Sequence, residues 1–123
     1  MLTRPTYRPE ITIVATRRFL MTEIQASVSR TYKVKISDIE SSSRARINAR
    51  PRHVAMWMSR NLLKRTYPEI AAKFKRRNHT TAMNAVREID ERILVDNATW
   101  AIVRDLLIEL NGSAPSFQLE LRL

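Results

Sequence analysis

The sequence predicts an all-α fold, a multi-helix bundle that ends in an extended tail. Three observations carry this. Apolar residues recur at helical spacing over most of the chain. Helix-start residues stand in front of most of these runs. Alternation with a period of two occurs only at the end, where Phe117, Leu119, Leu121 and Leu123 alternate with Gln118, Glu120 and Arg122. With 123 residues and 44% of them hydrophobic, the chain suits one domain with a real core.

The elements follow in order. Residues 1–10 contain Pro5 and Pro9 and read as a flexible, mildly basic arm. A helical pattern runs from Ile11 to Thr31, with Ile13, Leu20, Ile24 and Val28 on one face and Val14 and Met21 beside them. Ser37 and Glu40 have capping-box spacing, which predicts a short helix from about Asp38, broken by Ser41-Ser42-Ser43. Pro51 suits the first turn of a further helix, striped by Val54, Ala55, Met58 and Leu62 and running to about Arg65. Thr66 and Glu69 form a second capping box, with Pro68 in the first turn of a short helix carrying Ile70, Ala71 and Phe74. After Lys75-Arg76-Arg77, Asn78 caps a longer helix that buries Ala82, Ala85, Val86, Ile89 and Ile93. Asp96 or Asn97 opens a last helix, which Asn111-Gly112 ends. Trp57 and Trp100 fit these apolar stripes as core anchors.

Charge narrows the partner. The chain has 22 Lys+Arg against 12 Asp+Glu, a net charge of +10. Arg44 to Arg77 carries 11 basic residues against the single acid Glu69, so the whole excess lies there. A charge run is often only a solvated face. Its confinement to one stretch favours a surface for a polyanion. An acidic membrane surface is disfavoured, because the cations fall in loops and helix starts rather than along one amphipathic face. No run approaches the ~20 apolar residues of a membrane span. No targeting segment is visible, so a cytoplasmic, nucleoid-associated location is expected.

Several chemistries lack their residues. With no Cys, disulfides and thiolate metal sites are excluded. One Gly leaves no glycine-rich phosphate loop. His53 and His79 stand without clustered carboxylates, so no metal is expected. Ser37 and Ser41 to Ser43 have no base at useful spacing, so no catalytic residue and no cofactor are expected.

A short helix, a tight turn and a polar-started second helix form a helix-turn-helix. The first residues of its second helix reach base edges in the major groove. Here they are Asn78, His79, Thr80 and Thr81. Asn bonds adenine bidentately, and a Thr methyl packs on the thymine methyl.

Four motifs then match a known family in order and spacing. They are Val-Lys-Ile-Ser-Asp-Ile (34–39), Ala-Arg-Pro-Arg-His-Val-Ala-Met (49–56), Tyr-Pro-Glu-Ile (67–70) and Asn-His-Thr-Thr (78–81). Together they closely resemble the C-terminal DNA-binding domain of the bacterial replication initiator DnaA, over about Thr22 to Ile93. The resemblance implies a TrpR-like helix-turn-helix fold and double-stranded DNA as partner. It implies that Arg44 enters the minor groove, where a narrow A/T-rich tract concentrates negative potential. It implies DNA contact for Arg52 and His53, and phosphate contact for Arg60, Tyr67 and Pro68. His79, Thr80 and Thr81 match the family's reading triplet.

The main departure precedes that triplet. Lys75-Arg76-Arg77-Asn78 replaces the family's Gly-Gly-Arg-Asp. Without glycine, any left-handed turn residue costs about 1 kcal/mol, or the turn changes. The exchange places two further cations, Lys75 and Arg76, next to Arg77. Asp to Asn turns an acceptor-only group into one that also donates. His53 stands where many members carry Gln. Duplex binding is expected to persist, with a preferred site different from the family's standard box.

The expected layout is an arm over 1–10, the helix-turn-helix domain over 11–95, an added helix over 96–112 and a tail over 113–123. The tail Gln118-Leu119-Glu120-Leu121-Arg122-Leu123 resembles a peptide that binds the polymerase sliding clamp. Its candidate contacts are Gln118, Leu119, Leu121 and Leu123. The other reading is a terminal strand packed on its own domain. The expected function is non-enzymatic, sequence-preferring DNA binding that regulates replication initiation or transcription by site occupancy. The alternative is an adaptor recruiting the clamp.

Overall fold

The computed structural model describes residues 6–12, 20–40, 46–111 and 116–122. It contains six helices: α1 (Met21–Tyr32), α2 (Ile36–Glu40), α3 (Arg46–Leu62), α4 (Tyr67–Lys73), α5 (His79–Val95) and α6 (Asn97–Asn111). Two strands, β1 (Thr6–Thr12) and β2 (Ser116–Arg122), pair antiparallel, with Thr6 opposite Arg122 and Thr12 opposite Ser116. The fold is the expected helical bundle, with this ribbon joining the two ends.

The core lies between α3 and its neighbours. Helix α3 packs on α1, α2, α4 and α5, and α6 closes over α1 and α5. Trp57, Met56 and Met58 of α3 are fully buried with Ile24, Ile39, Ile70, Phe74 and Ile89. Trp57 Nε1 donates to Asp90 Oδ1 on α5 at 2.8 Å, so the indole has both an apolar site and a polar partner. Trp100 is half-buried against the same core, through which both tryptophans act as anchors. Arg30 of α1 bonds Glu109 of α6 at 2.8 Å, at an exposed seam.

Helix starts follow side-chain chemistry closely where the caps are polar. Thr66 Oγ1 accepts from Glu69 N–H at 3.3 Å, with Pro68 in the first turn of α4. Asn78 Oδ1 accepts from Thr80 N–H at 2.9 Å and starts α5. Asp96 accepts from Ala98 N–H at 3.1 Å and from the Thr99 hydroxyl at 2.7 Å, and starts α6. These bonds, led by that from Thr99, hold the Asp96 carboxyl below its usual range.

The structure corrects four expectations. The first helix begins at Met21, not Ile11, and Ile11 and Thr12 belong to β1. Ile11 and Thr12 are both β-branched, which favours strand over helix, and the expected positions Ile13 and Val14 lie outside the described residues. Glu23 sets the start of α1 by accepting from Leu20 N–H at 3.3 Å. Residues 6–10 of the expected arm are the rest of β1, because the alternating tail offers them a pairing edge. Helix α2 begins at Ile36, so Ser37 lies inside it; Lys35 O accepts from Asp38 N–H at 3.0 Å and from Ile39 N–H at 3.2 Å. Pro51 lies inside α3 rather than in its first turn, since the helix already starts at Arg46. One intrahelical hydrogen bond is therefore absent at Pro51.

Three helices end alike. Lys33, Lys64 and Lys75 all have φ of 56°, the left-handed region. After α4, Lys75 N–H bonds Ala72 O at 3.1 Å and Arg76 N–H bonds Ala71 O at 2.8 Å. That is a Schellman motif, usually built on glycine. A lysine here costs backbone strain, partly offset by its charge at the negative end of the helix dipole.

Candidate nucleic-acid interface

The turn between α4 and α5 sets the site. Its Schellman bonds end α4 at Phe74, whose ring is fully buried, and Asn78 starts α5 four residues later. Arg77, Asn78, His79, Thr80 and Thr81 are all exposed around this start. Asn78 holds Thr80 N–H through Oδ1, while Thr81 N–H bonds Asn78 O at 3.1 Å. The cap therefore fixes the first turn and commits one of the two groups Asn78 needs for a bidentate base contact. Lys75 is exposed and Arg76 is half-buried in the same turn.

The other expected residues divide by burial. Arg60 and Tyr67 form a pair at the α3–α4 junction. The Arg60 guanidinium lies 4.3 Å from the Tyr67 ring centroid, and its Nη1 donates to Arg65 O at 2.9 Å. Pro68 is exposed beside them. Arg52 is only 4% exposed. Its Nε donates to Ile39 O and its Nη2 to Asp38 O, both at 2.9 Å, so it fastens α3 to the end of α2. Burial, then the charge of Arg76, lowers the Arg52 pKa below its ordinary value. His53 is half-buried, with Nδ1 2.6 Å from Glu88 Oε2 on α5. Burial lowers its pKa below 6.5 against the opposing pull of Glu88.

Arg44 lies outside the described residues, as does Leu123. Gln118, Leu119 and Leu121 lie on β2, opposite Glu10, Pro9 and Tyr7 respectively. The tail is thus placed as a strand, and at a distance in sequence from the turn.

The basic stretch is partly balanced. Glu40 stands 3.8 Å from Lys73 and 3.9 Å from Lys75, and Glu69 stands 3.6 Å from Arg65. Lys64 and Arg77 are exposed and form no ion pair among the described residues. Two further exposed residues of α5, Asn84 and Arg87, share the outward face of Thr80 and escaped the sequence reading. Their signal was present: the buried Ala82, Ala85, Val86 and Ile89 fix the opposite face. Glu88 and Glu40, the acids that pair with His53 and with the lysines, were also missed.

A short helix, a tight basic turn and a polar-started second helix, packed on a buried Trp57, define a helix-turn-helix DNA-binding domain. The family model described as "Bacterial dnaA protein helix-turn-helix" matches residues 21–89, and the chain belongs to that family. The chromosomal replication initiator protein DnaA of Gluconobacter oxydans (strain 621H) is 45% identical over 83 residues, 68% of this chain and 17% of that protein. Its counterpart in Dechloromonas aromatica (strain RCB) is 40% identical over 100 residues, 81% of this chain and 22% of that protein. A crystal structure of a DNA replication initiation factor superposes with a TM-score of 0.63 at 27% identity, covering 73% of this chain and 29% of that one. The chain thus spans about a fifth of the length of these curated relatives. Among the described residues, no helix is long and apolar enough to cross a membrane.

Proposed function

We propose that this chain is a non-enzymatic, sequence-preferring binder of double-stranded DNA that regulates replication initiation or transcription by occupying its sites. The observation that carries it is the exposed run His79-Thr80-Thr81 in the first turn of α5, directly after a turn bearing Lys75, Arg76 and Arg77. The cations supply affinity for phosphates, and the polar triplet supplies contact with base edges. Arg60, Tyr67, Pro68 and Lys64 at the α3–α4 junction extend the phosphate surface. Arg44 serves in the minor groove on the family resemblance alone. A nucleoid-associated location follows from this activity.

Selection of binding sites from a random duplex pool tests the reading. An enriched motif is expected, with affinity that falls steeply as salt rises. Enrichment of the initiator's own box would point to replication control, and a different motif to an independent regulator. A pool that shows no enrichment defeats the sequence-preferring reading.

A second reading concerns Gln118, Leu119, Leu121 and Leu123. The extended backbone of β2 is the form such a clamp-binding peptide takes, but its pairing with β1 competes with any partner strand. Capture of the sliding clamp by wild type and by Leu119→Ala/Leu121→Ala decides between recruitment and a purely structural ribbon. Equal retention removes the clamp from the account.

A further inference from the structure

The recognition surface of α5 extends beyond its first turn. Residues on an α-helix advance by about 100° and 1.5 Å each. Asn84 therefore lies about 40° from Thr80 around the axis and about 6 Å further along it. Arg87 returns to within about 20° of Thr80, about 10 Å along. All three are exposed, and Ala82, Ala85, Val86 and Ile89 are buried on the other side. Thr80, Asn84 and Arg87 thus form one stripe, opposite the core, that starts in the turn presented to DNA.

Asn84 has no structural duty that explains it. Its amide makes no hydrogen bond among the described residues, and Asn is a weak helix former at an interior position. Asn78, the other asparagine of this surface, has committed Oδ1 to Thr80 N–H. Bidentate reading of adenine needs an acceptor and a donor together. On this stripe only Asn84 carries the two on separate atoms of one planar amide. Arg87 is exposed and forms no ion pair among the described residues. Glu91 is exposed one turn later on the same face, and its charge repels phosphate, so the stripe ends at Arg87.

Resting on the DNA-binding reading above, we propose that Asn84 is a further base-reading position of α5 beyond the His79-Thr80-Thr81 triplet, hydrogen-bonding an adenine edge, and that Arg87 contacts a phosphate beyond it. The two act differently. Asn84 sets preference at one base pair, while Arg87 adds affinity on every sequence.

Random-pool selections with wild type, Asn84→Ala, Asn84→Asp and Arg87→Ala test this, with helicity checked by circular dichroism. Asn84→Ala is expected to lose the adenine preference at one position, with affinity for the wild-type site falling roughly five- to 150-fold. Asn84→Asp, which only accepts, is expected to move that position toward cytosine. Arg87→Ala is expected to keep the motif, weaken all sequences alike, and lower the slope of log affinity against log salt by about one. Folded Asn84→Ala protein that enriches the wild-type motif with unchanged affinity overturns the assignment. Wild type that enriches no motif overturns the base-reading function itself, and this inference with it.

Discussion

His53 Nδ1 and Glu88 Oε2 lie 2.6 Å apart, joining α3 to the face of α5 next to the recognition stripe. The imidazole is half-buried near Arg52 and Arg76, and burial is the largest influence on it. Its folded pKa is therefore depressed below 6.5, against the opposing pull of Glu88. The unfolded chain binds the proton first as pH falls. Stability from this site is therefore present above pH 6.5 and is lost as pH drops through 6.5 toward the folded pKa. Urea midpoints measured from pH 7.5 to pH 5 are expected to decline in wild type. His53→Gln, a polar side chain that does not titrate, is expected to flatten that decline. An identical pH slope in both proteins would remove His53 as its source.

Arg52 acts through α2. Its two bonds to Ile39 O and Asp38 O end that helix, and both leave buried or half-buried carbonyls if they are lost. Arg52→Met is expected to cost about 2–3 kcal/mol of stability, the scale of a charged hydrogen bond and an unsatisfied acceptor. Arg52→Lys is expected to rescue little, because an ammonium lacks the fork that reaches both oxygens. Chemical denaturation measures this directly. A stability loss without a change in the salt slope of DNA binding marks a positioning residue; an unchanged midpoint with a smaller slope would instead mark a phosphate contact.

Lys75 shares its strained left-handed backbone with Lys33 and Lys64, and it stands in the turn before α5. Its φ of 56° sits in the position where the family pattern has glycine. Lys75→Gly is expected to stabilise the fold by about 1 kcal/mol through relief of that strain. Lys75→Ala removes the same charge and keeps the strained backbone. It is therefore expected to show no such gain. Equal denaturation midpoints for the two variants would assign the effect to loss of the lysine side chain rather than to the backbone.

The sequence made most of this legible where local chemistry decides. Thr66, Asn78 and Asp96 bond backbone groups within three residues, so their spacing alone placed the starts of α4, α5 and α6. At Lys75 the sequence left two outcomes, a left-handed residue without glycine or a changed turn, and the structure has the first. What escaped depends on distant partners. β1 forms only because β2, more than a hundred residues later, pairs with it. Arg52 looks like a surface cation until α2 ends against it, and Glu88 gains meaning only when α3 brings His53 to it. Ser37 had the spacing of a cap, but Lys35 O had already started α2.

The triplet itself separates affinity from specificity. His79, Thr80 and Thr81 are exposed at the start of α5, and neither Thr80 nor Thr81 has its side chain buried by the core. Replacing an exposed first-turn side chain leaves the Asn78 cap intact, because that bond uses the Thr80 backbone N–H. Thr80→Ala and His79→Ala are therefore expected to fold normally. On the preferred duplex each is expected to cost about 1–3 kcal/mol of binding, and little on random DNA. Arg77→Ala, in contrast, is expected to weaken both duplexes by a similar factor and to reduce the salt slope by about one. Binding isotherms on the two duplexes at several salt concentrations make the comparison. If Thr80→Ala also lost the same factor on both, the triplet would be holding the backbone of DNA rather than reading its bases.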